Sequence, residues 1–285
     1  GEYKKAQVAF KRYVARLPNQ AYPLTVLGDF NLIVGDYDEA IANFQRSLEI
    51  DPDYLLTSEL LGESYLAKGV YTKTLNSYNK YLTLSTSDIE KAKAHFLLGR
   101  LHYLKGENTK AIDECQQALE LNPRMVEAHW ILGLTFIEKE MLDQVESELS
   151  VIQGLIEKTK TEESKIYYYH LSGELLLKSG LYQQALENFN KAANIKSLDR
   201  AFFVNALGET YFEIGELNKA VEKSEAVLKI NPNYAQTHYI LAQIYEKKGK
   251  KGKAKDHFQK FVEIWKEADE NLPQFIEAKR RLEEL

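Results

Sequence analysis

The chain has 285 residues, 44% of them hydrophobic and 28% charged, with a formal net charge of −5. That balance supplies ample material for a core and disfavours a general nucleic-acid binder, because phosphate affinity needs clustered positive charge. No run of 18 or more apolar residues occurs, so no membrane-spanning helix is expected, and with six prolines and no Gly/Ser-rich stretch no flexible linker divides the chain.

Taken in chain order, the first 20 residues read as the second half of a unit that recurs downstream: Gly1…Ala6…Phe10…Pro18. The full unit is a small residue, six residues, glycine, four residues, alanine. Gly28…Gly35…Ala40 is the first full copy, and Gly62…Gly69…Thr74 is a degenerate second. Gly99…Gly106…Ala111 restores the pattern, and Gly133…Glu140…Val145 departs from it most. Gly173…Gly180…Ala185 and Gly208…Gly215…Ala220 are again complete, and Ala242…Gly249…Ala254 keeps the spacing with alanine in front. Successive first members lie 34, 37, 34, 40, 35 and 34 residues apart. The chain then ends in a segment whose apolar residues, Leu272, Phe275, Ile276 and Leu282, share one helical face, with charges opposite.

Each position in the unit has a physical reading. Apolar residues at helical spacing surround the first glycine, as in Leu24, Leu27 and Gly28, which predicts a helix A. The small residue lets a second helix approach closely, and the glycine seven residues on ends helix A where a positive φ is tolerated. A large apolar residue four positions past the helix B alanine fills the space between them: Phe10, Phe44, Tyr78, Phe189 and Phe258. Helix B stops at Asp51-Pro52, Asn122-Pro123 or Asn231-Pro232, because proline cannot continue a helix interior. The fourth unit has no such proline, which predicts a longer helix B with an exposed extension over Thr159–Lys165.

This pattern resembles the tetratricopeptide repeat, with its small residue at position 8, alanine at 20, aromatic at 24 and proline at 32. The resemblance implies an all-α fold, a right-handed superhelical solenoid of antiparallel helix pairs. Seven repeats would start at Ala21, Leu55, Ala92, Val126, Ile166, Ala201 and Ala235 and fill residues 21–268. Residues 1–20 would be a truncated repeat and 269–285 a capping helix. A start in mid-repeat implies a fragment of something longer. The tail from Phe261 to Leu282 resembles the ends of bacterial repeat segments attached to signalling or regulatory domains, which would imply a bacterial source.

Residues that could carry chemistry have plainer readings. His95, His129 and His238 fall at one packing position of helix A, and His102 lies beside them, with no His-Glu-x-x-His spacing for a metal. Cys115 takes the large-apolar position of the third repeat, so it is expected as a buried, inert thiol. A single cysteine forms no internal disulfide and fits a reducing, cytoplasmic setting, as it also fits a bacterial exported protein. The basic run Lys247–Lys255 reads as a solvated turn. No catalytic site and no cofactor are expected, and the chain is not read as an enzyme.

Function is expected in the concave groove, which in this family is lined by helix A at positions 2, 5, 9, 12 and 13. The apolar residues there are Tyr22, Leu32, Phe96, Tyr103, Trp130, Leu134, Ile137, Tyr167, Leu177, Phe202, Phe212 and Tyr239. The acids are Asp29, Glu59, Glu63, Glu127, Glu138, Glu174, Glu209 and Glu213, against only Lys93, Arg100, Lys178 and Lys247. His170 and Asn205 add polar contacts. The candidate partner-binding set is Phe96, Arg100, Tyr103, Trp130, Ile137, Tyr167, His170, Glu174, Phe202, Asn205, Glu209, Phe212, Glu213 and Tyr239. It fits a protein or peptide that presents apolar anchors with Lys or Arg. The Lys/Asn clamp of the co-chaperone branch is absent, since positions 5 and 9 read Thr25/Asp29, Glu59/Glu63 and Phe96/Arg100. The expected function is a protein-interaction scaffold. The alternatives are a regulatory segment of a larger signalling protein or enzyme, and a self-assembling scaffold built from homo-oligomers.

Overall fold

A computed structural model describes residues 2–196 and 200–285 of the chain; Gly1, the first member of the opening half-unit, lies outside them. The described residues form helices and turns with no strand. In order the helices are α1 (Glu2–Arg16), α2 (Ala21–Ile33), α3 (Tyr37–Ile50), α4 (Leu55–Ala67), α5 (Tyr71–Leu84), α6 (Asp88–Leu104), α7 (Asn108–Leu121) and α8 (Val126–Glu138). They continue with α9 (Leu142–Thr159), α10 (Lys165–Lys178), α11 (Tyr182–Asn194), α12 (Arg200–Glu213), α13 (Leu217–Ile230), α14 (Ala235–Lys247), α15 (Lys251–Ile264) and α16 (Pro273–Glu284). Consecutive helices α2/α3 through α14/α15 pack as antiparallel pairs, and each pair stacks on the next to form an all-α solenoid. No described helix is long and apolar enough to cross a membrane.

The pairs close where the sequence placed small residues. A Cβ added at Gly28 would stand 2.5 Å from Phe44 Cε1, and one at Gly173 would stand 2.6 Å from Phe189 Cε1. The same relation joins Gly99 to Cys115 and Gly208 to Ser224, at 2.6 Å each. A helix with a side chain at these points could not approach its partner without overpacking. In the fourth pair the contact is made by the next repeat instead, since Gly133 meets Leu171 of α10. Its turn also departs. Glu140 adopts φ 58°, the left-handed conformation that glycine supplies at 35, 69, 106, 180, 215 and 249. Helix α9 is long, with 18 residues, and ends at Lys160 in the same conformation. Helix α6 begins at Asp88 because Ser87 and Glu90 form a capping box there, which lengthens it at the N-terminus.

One feature of the stack was not foreseen. The turns of the first two pairs meet the loops that follow the last two, so the superhelix closes on itself along a seam. Asn231 Nδ2 donates to Tyr37 Oη at 2.9 Å, and Asn233 Nδ2 donates to the Gly35 carbonyl at 2.9 Å. Trp265 Nε1 donates to the Ala67 carbonyl at 3.1 Å, while its ring lies edge-on to Tyr71 at 6.4 Å. Asp269 N donates to the Gly69 carbonyl at 3.1 Å, and the Asp269 carboxylate accepts from Thr72 N at 3.0 Å and Thr72 Oγ1 at 2.9 Å. Lys68 is 3% exposed and bridges Asp38 and Glu267 across the same seam. Tyr37, Tyr71 and Val70 are buried beneath it, and the Tyr71 hydroxyl is pushed up to about 12 by burial and by the nearby Asp269. Phe275 and Ala278 of α16 pack against α15, and the loop in front of α16 ties the seventh pair to the second.

Candidate functional site: the concave face

The concave face is built by the A helices of the stack, and its residues divide into a buried layer and a partly buried layer above it. Trp130 is 5% exposed. Its ring lies 5.2 Å from Tyr167, 5.6 Å from His170, 5.7 Å from Phe202 and 6.1 Å from Phe203. Its Nε1 donates to His170 Nδ1 at 3.3 Å, and His170 itself is stacked on Phe202 at 5.2 Å. Burial pushes the imidazole down to about 3, so the ring is neutral and accepts on Nδ1. Trp130, Ile137, His170 and Asn205 were expected to face a partner. The structure places all four in the buried layer: the Tyr167 and His170 rings of α10 and the Phe202 and Phe203 rings of α12 surround Trp130, and Asn205 is held between Thr237 and Glu209. Phe189, expected as the filler between the helices of its pair, and Phe203, which the sequence did not single out, complete the packing around His170. Both lie outside the groove positions of the repeat, so those positions alone could not place them there.

Above this layer Phe96, Tyr103, Tyr167, Phe202, Phe212 and Tyr239 are partly buried. Tyr239 leans on Phe258 and Phe261, at 6.0 and 5.2 Å, and belongs to the C-terminal core as much as to the groove. Lys247 sits over the Phe212 ring at 5.3 Å.

The charges are unevenly matched along the groove. In the second and third repeats the acids are paired: Lys93 bridges Glu59 at 2.8 Å, and Arg100 holds Glu63 while donating to Tyr78 Oη at 3.2 Å. Arg100 is thus committed to a neighbour and sits 5.8 Å from the Phe96 ring. Farther along, Glu174, Glu209 and Glu213 lie close together, with Nε2 of the neutral His170 ring 3.7 Å from Glu174 Oε1. Burial, and then the charges of Glu209, Glu213 and Glu138, push the Glu174 carboxyl up to about 8. Burial also pushes Glu209 up to about 7, although Asn205 Nδ2 donates to it at 2.8 Å and favours the charged form. Asn205 is itself oriented by Thr237 Oγ1, which donates to its Oδ1 at 2.6 Å. Glu213 is raised by burial too. The superhelix winds tightly enough that Glu174, Glu138 and Glu209 raise the Tyr103 hydroxyl of the third repeat, after burial. The arrangement can accept cationic groups above an aromatic floor. Among the described residues no group of three or more His, Cys, Asp or Glu is arranged to hold a metal ion. Cys115 is fully buried, and burial pushes its thiol well up.

A stack of helical hairpins presenting a lined concave face falls in the class of protein-interaction solenoids. The chain belongs to the tetratricopeptide repeat family. Models of that repeat match residues 22–54, 92–125, 157–197, 208–249 and 235–264. A TPR repeat-containing protein of Methanocaldococcus jannaschii is 25% identical over 237 residues, 80% of this chain and 40% of that protein. Anaphase-promoting complex subunit 7 of Arabidopsis thaliana is 21% identical over 271 residues, 95% of this chain and 46% of that one. The chain thus spans less than half the length of these relatives. The crystal structure of a tetratricopeptide repeat protein from Parabacteroides merdae shares the fold. Its TM-score is 0.55 at 20% identity, with 92% of this chain and 97% of that chain covered.

Proposed function

We propose that the chain is a protein-interaction scaffold that holds an extended or helical segment of a partner on the concave face of its third to sixth repeats. The supporting observation is the contrast in charge pairing. Glu59 and Glu63 have internal cations, whereas Glu209 and Glu213 hinder the ionisation of Glu174, and Glu213 that of Glu209, beside partly buried rings. A Lys or Arg on the partner would relieve that repulsion, and an apolar side chain beside it would cover Tyr103, Tyr167 and Phe202. The plant relative, by its name a subunit of a larger complex, is consistent with such a role.

The test is calorimetric titration with peptides that carry an apolar anchor next to Lys or Arg, and with the same peptides carrying Glu instead. The cationic peptides should bind, more weakly as salt rises, and Glu209→Lys/Glu213→Lys should weaken them about tenfold or more, the scale of ~1.4 kcal/mol. Equal binding of both peptide sets, or full binding by the charge-reversed variant, would remove the groove reading.

A further inference from the structure

The seam supplies a pattern that recurs, uncovered, elsewhere on the molecule. The residue two places after each turn position is Tyr37, Tyr71, Leu142, Tyr182 and Leu217 in the first, second, fourth, fifth and sixth pairs. Tyr37 and Tyr71 are each 7% exposed because the Asn231 and Trp265 loops cover them. Leu142 is 42% and Tyr182 48% exposed, and Leu181 beside it is 47% exposed. Gly35 and Gly180 share the left-handed turn conformation, with φ 82° and 73°. A Cβ on Gly35 would strike Asn231, whereas one on Gly180 would meet nothing within 4 Å. A recess of about 440 Å³ opens between the Gly180–Tyr182 turn and Ile214.

The other half of the contact is also present and unused. Asn231 accepts from Asn233 N at 3.0 Å through Oδ1, which shapes the Asn-Pro loop and frees Nδ2 for Tyr37. Asn122, also followed by proline, accepts from Arg124 N at 3.3 Å through Oδ1, and its Nδ2 has no protein acceptor among the described residues. We propose that the Asn122 loop of one chain docks on the Gly180–Tyr182 turn of a second copy, repeating between molecules the Asn231–Tyr37 contact made within each.

Neighbouring turns take neighbouring loops along the seam, the first pair with the sixth and the second with the seventh. The same register between copies brings Leu142 and Lys139 to the 85–87 loop and the start of α6, where Ile89 is 72% exposed and Asp88 is exposed. Lys139 then stands where Lys68 stands at the seam, opposite an acid. On the other side Lys219 meets the loop that carries Glu162 and Glu163. Three adjacent turns are needed, because one turn and one loop fall short of the roughly 1,000 Å² of a specific interface. Turn edge and loop edge are different surfaces, so the contact is head-to-tail and does not close after two copies.

Sedimentation velocity of the chain over a concentration series tests this directly. The wild type should show an open-ended series of species. Leu181→Glu/Tyr182→Arg, which spoils the turn edge, and Asn122→Asp/Arg124→Ala, which removes the loop donors but keeps the Asx oxygen, should each be monomeric. Their equimolar mixture should form dimers and stop there, since only one good turn edge and one good loop edge remain. Circular dichroism of each variant identifies any that has lost its fold, and the mixing result then rests on charge changes at Tyr182 and Arg124 alone. A wild type that stays monomeric up to its solubility limit, as it would if a different protein covers this edge, overturns the proposal. So does a dimer indifferent to both variants, or a mixture that fails to associate.

Discussion

Replacing Gly69 by alanine isolates the seam from every other consequence of changing a turn glycine. Its φ is +72°, and Gly106, one pair along, has φ +71°. Alanine in that conformation costs about 1–2 kcal/mol at either position. The two sites differ in what surrounds the added methyl. At Gly69 it would stand 2.8 Å from Trp265 Cδ2, 2.9 Å from Cε2 and 3.0 Å from Ala268 Cβ, whereas at Gly106 nothing lies within 4 Å. Trp265 is 1% exposed and tied to the Ala67 carbonyl and the Phe261 ring, so it has little room to give. Overpacking of this kind costs a further ~1–3 kcal/mol, which places Gly69→Ala at about 2–5 kcal/mol against about 1–2 for Gly106→Ala. Urea denaturation measures the totals. Because a repeat array need not unfold in one step, amide exchange at Thr72 and Asp269, whose hydrogens cross the seam, measures the local effect. Gly69→Ala should speed exchange at both amides, and Gly106→Ala should leave them unchanged. Equal behaviour of the two variants in both assays would mean that the ends of the array do not hold each other.

Trp130→Ala should lower stability by about 3–5 kcal/mol as a buried large-to-small change, while Tyr167→Ala, above it, should weaken peptide binding with a smaller effect on unfolding; urea melts and titrations separate them. Glu174 is protonated in the folded chain up to about pH 8 and ionises near 4.5 when unfolded, so the native state binds the extra proton between those values and stability falls as pH rises through that window. Solvent reaches 29% of its side chain, so with screening allowed for Glu174→Gln should gain about 1–2 kcal/mol at pH 8 and little at pH 4, read from melts across pH. His257 has the opposite sign. Burial, and the His238 ring that faces it at 3.0 Å, push it down to about 4, so stability is full above pH 6.5 and is lost as pH falls towards 4. His257→Gln should flatten that acid limb.

The helix pairs were legible because their determinants are local. Gly28 and Phe44, like Gly173 and Phe189, lie sixteen residues apart, a spacing that recurs in every copy with a close contact but the fourth, and a fixed spacing is visible without coordinates. The left-handed turn was legible for the same reason, and even Glu140 obeys it where glycine is missing. The groove was half legible. Position within the repeat located Tyr167 and Glu209 on helix A. It could not say that α12 would bring Phe202 over Trp130 and His170, since that depends on how neighbouring pairs crowd after the fourth repeat's long helix. The unpaired acids were visible as composition, but the pairing of Glu63 with Arg100 crosses repeats and needed coordinates. The seam was not legible at all. Asn231 and Tyr37 are 194 residues apart, and they meet only because small rotations per repeat accumulate around the turn. In the sequence Asn231-Pro232 reads simply as a helix stop.

That seam changes the mechanics of the array. An open solenoid frays from its ends, because each terminal repeat has one neighbour and can peel away alone. Here the first two pairs and the sixth and seventh hold one another, so none of the four can loosen without breaking contacts across the seam. Bringing such distant segments together carries a loop-closure entropy that grows only slowly with the length enclosed. A force drawing the second and seventh pairs apart would meet its first resistance at Trp265 and Lys68. Only after those had let go would the stack begin to lengthen like a spring.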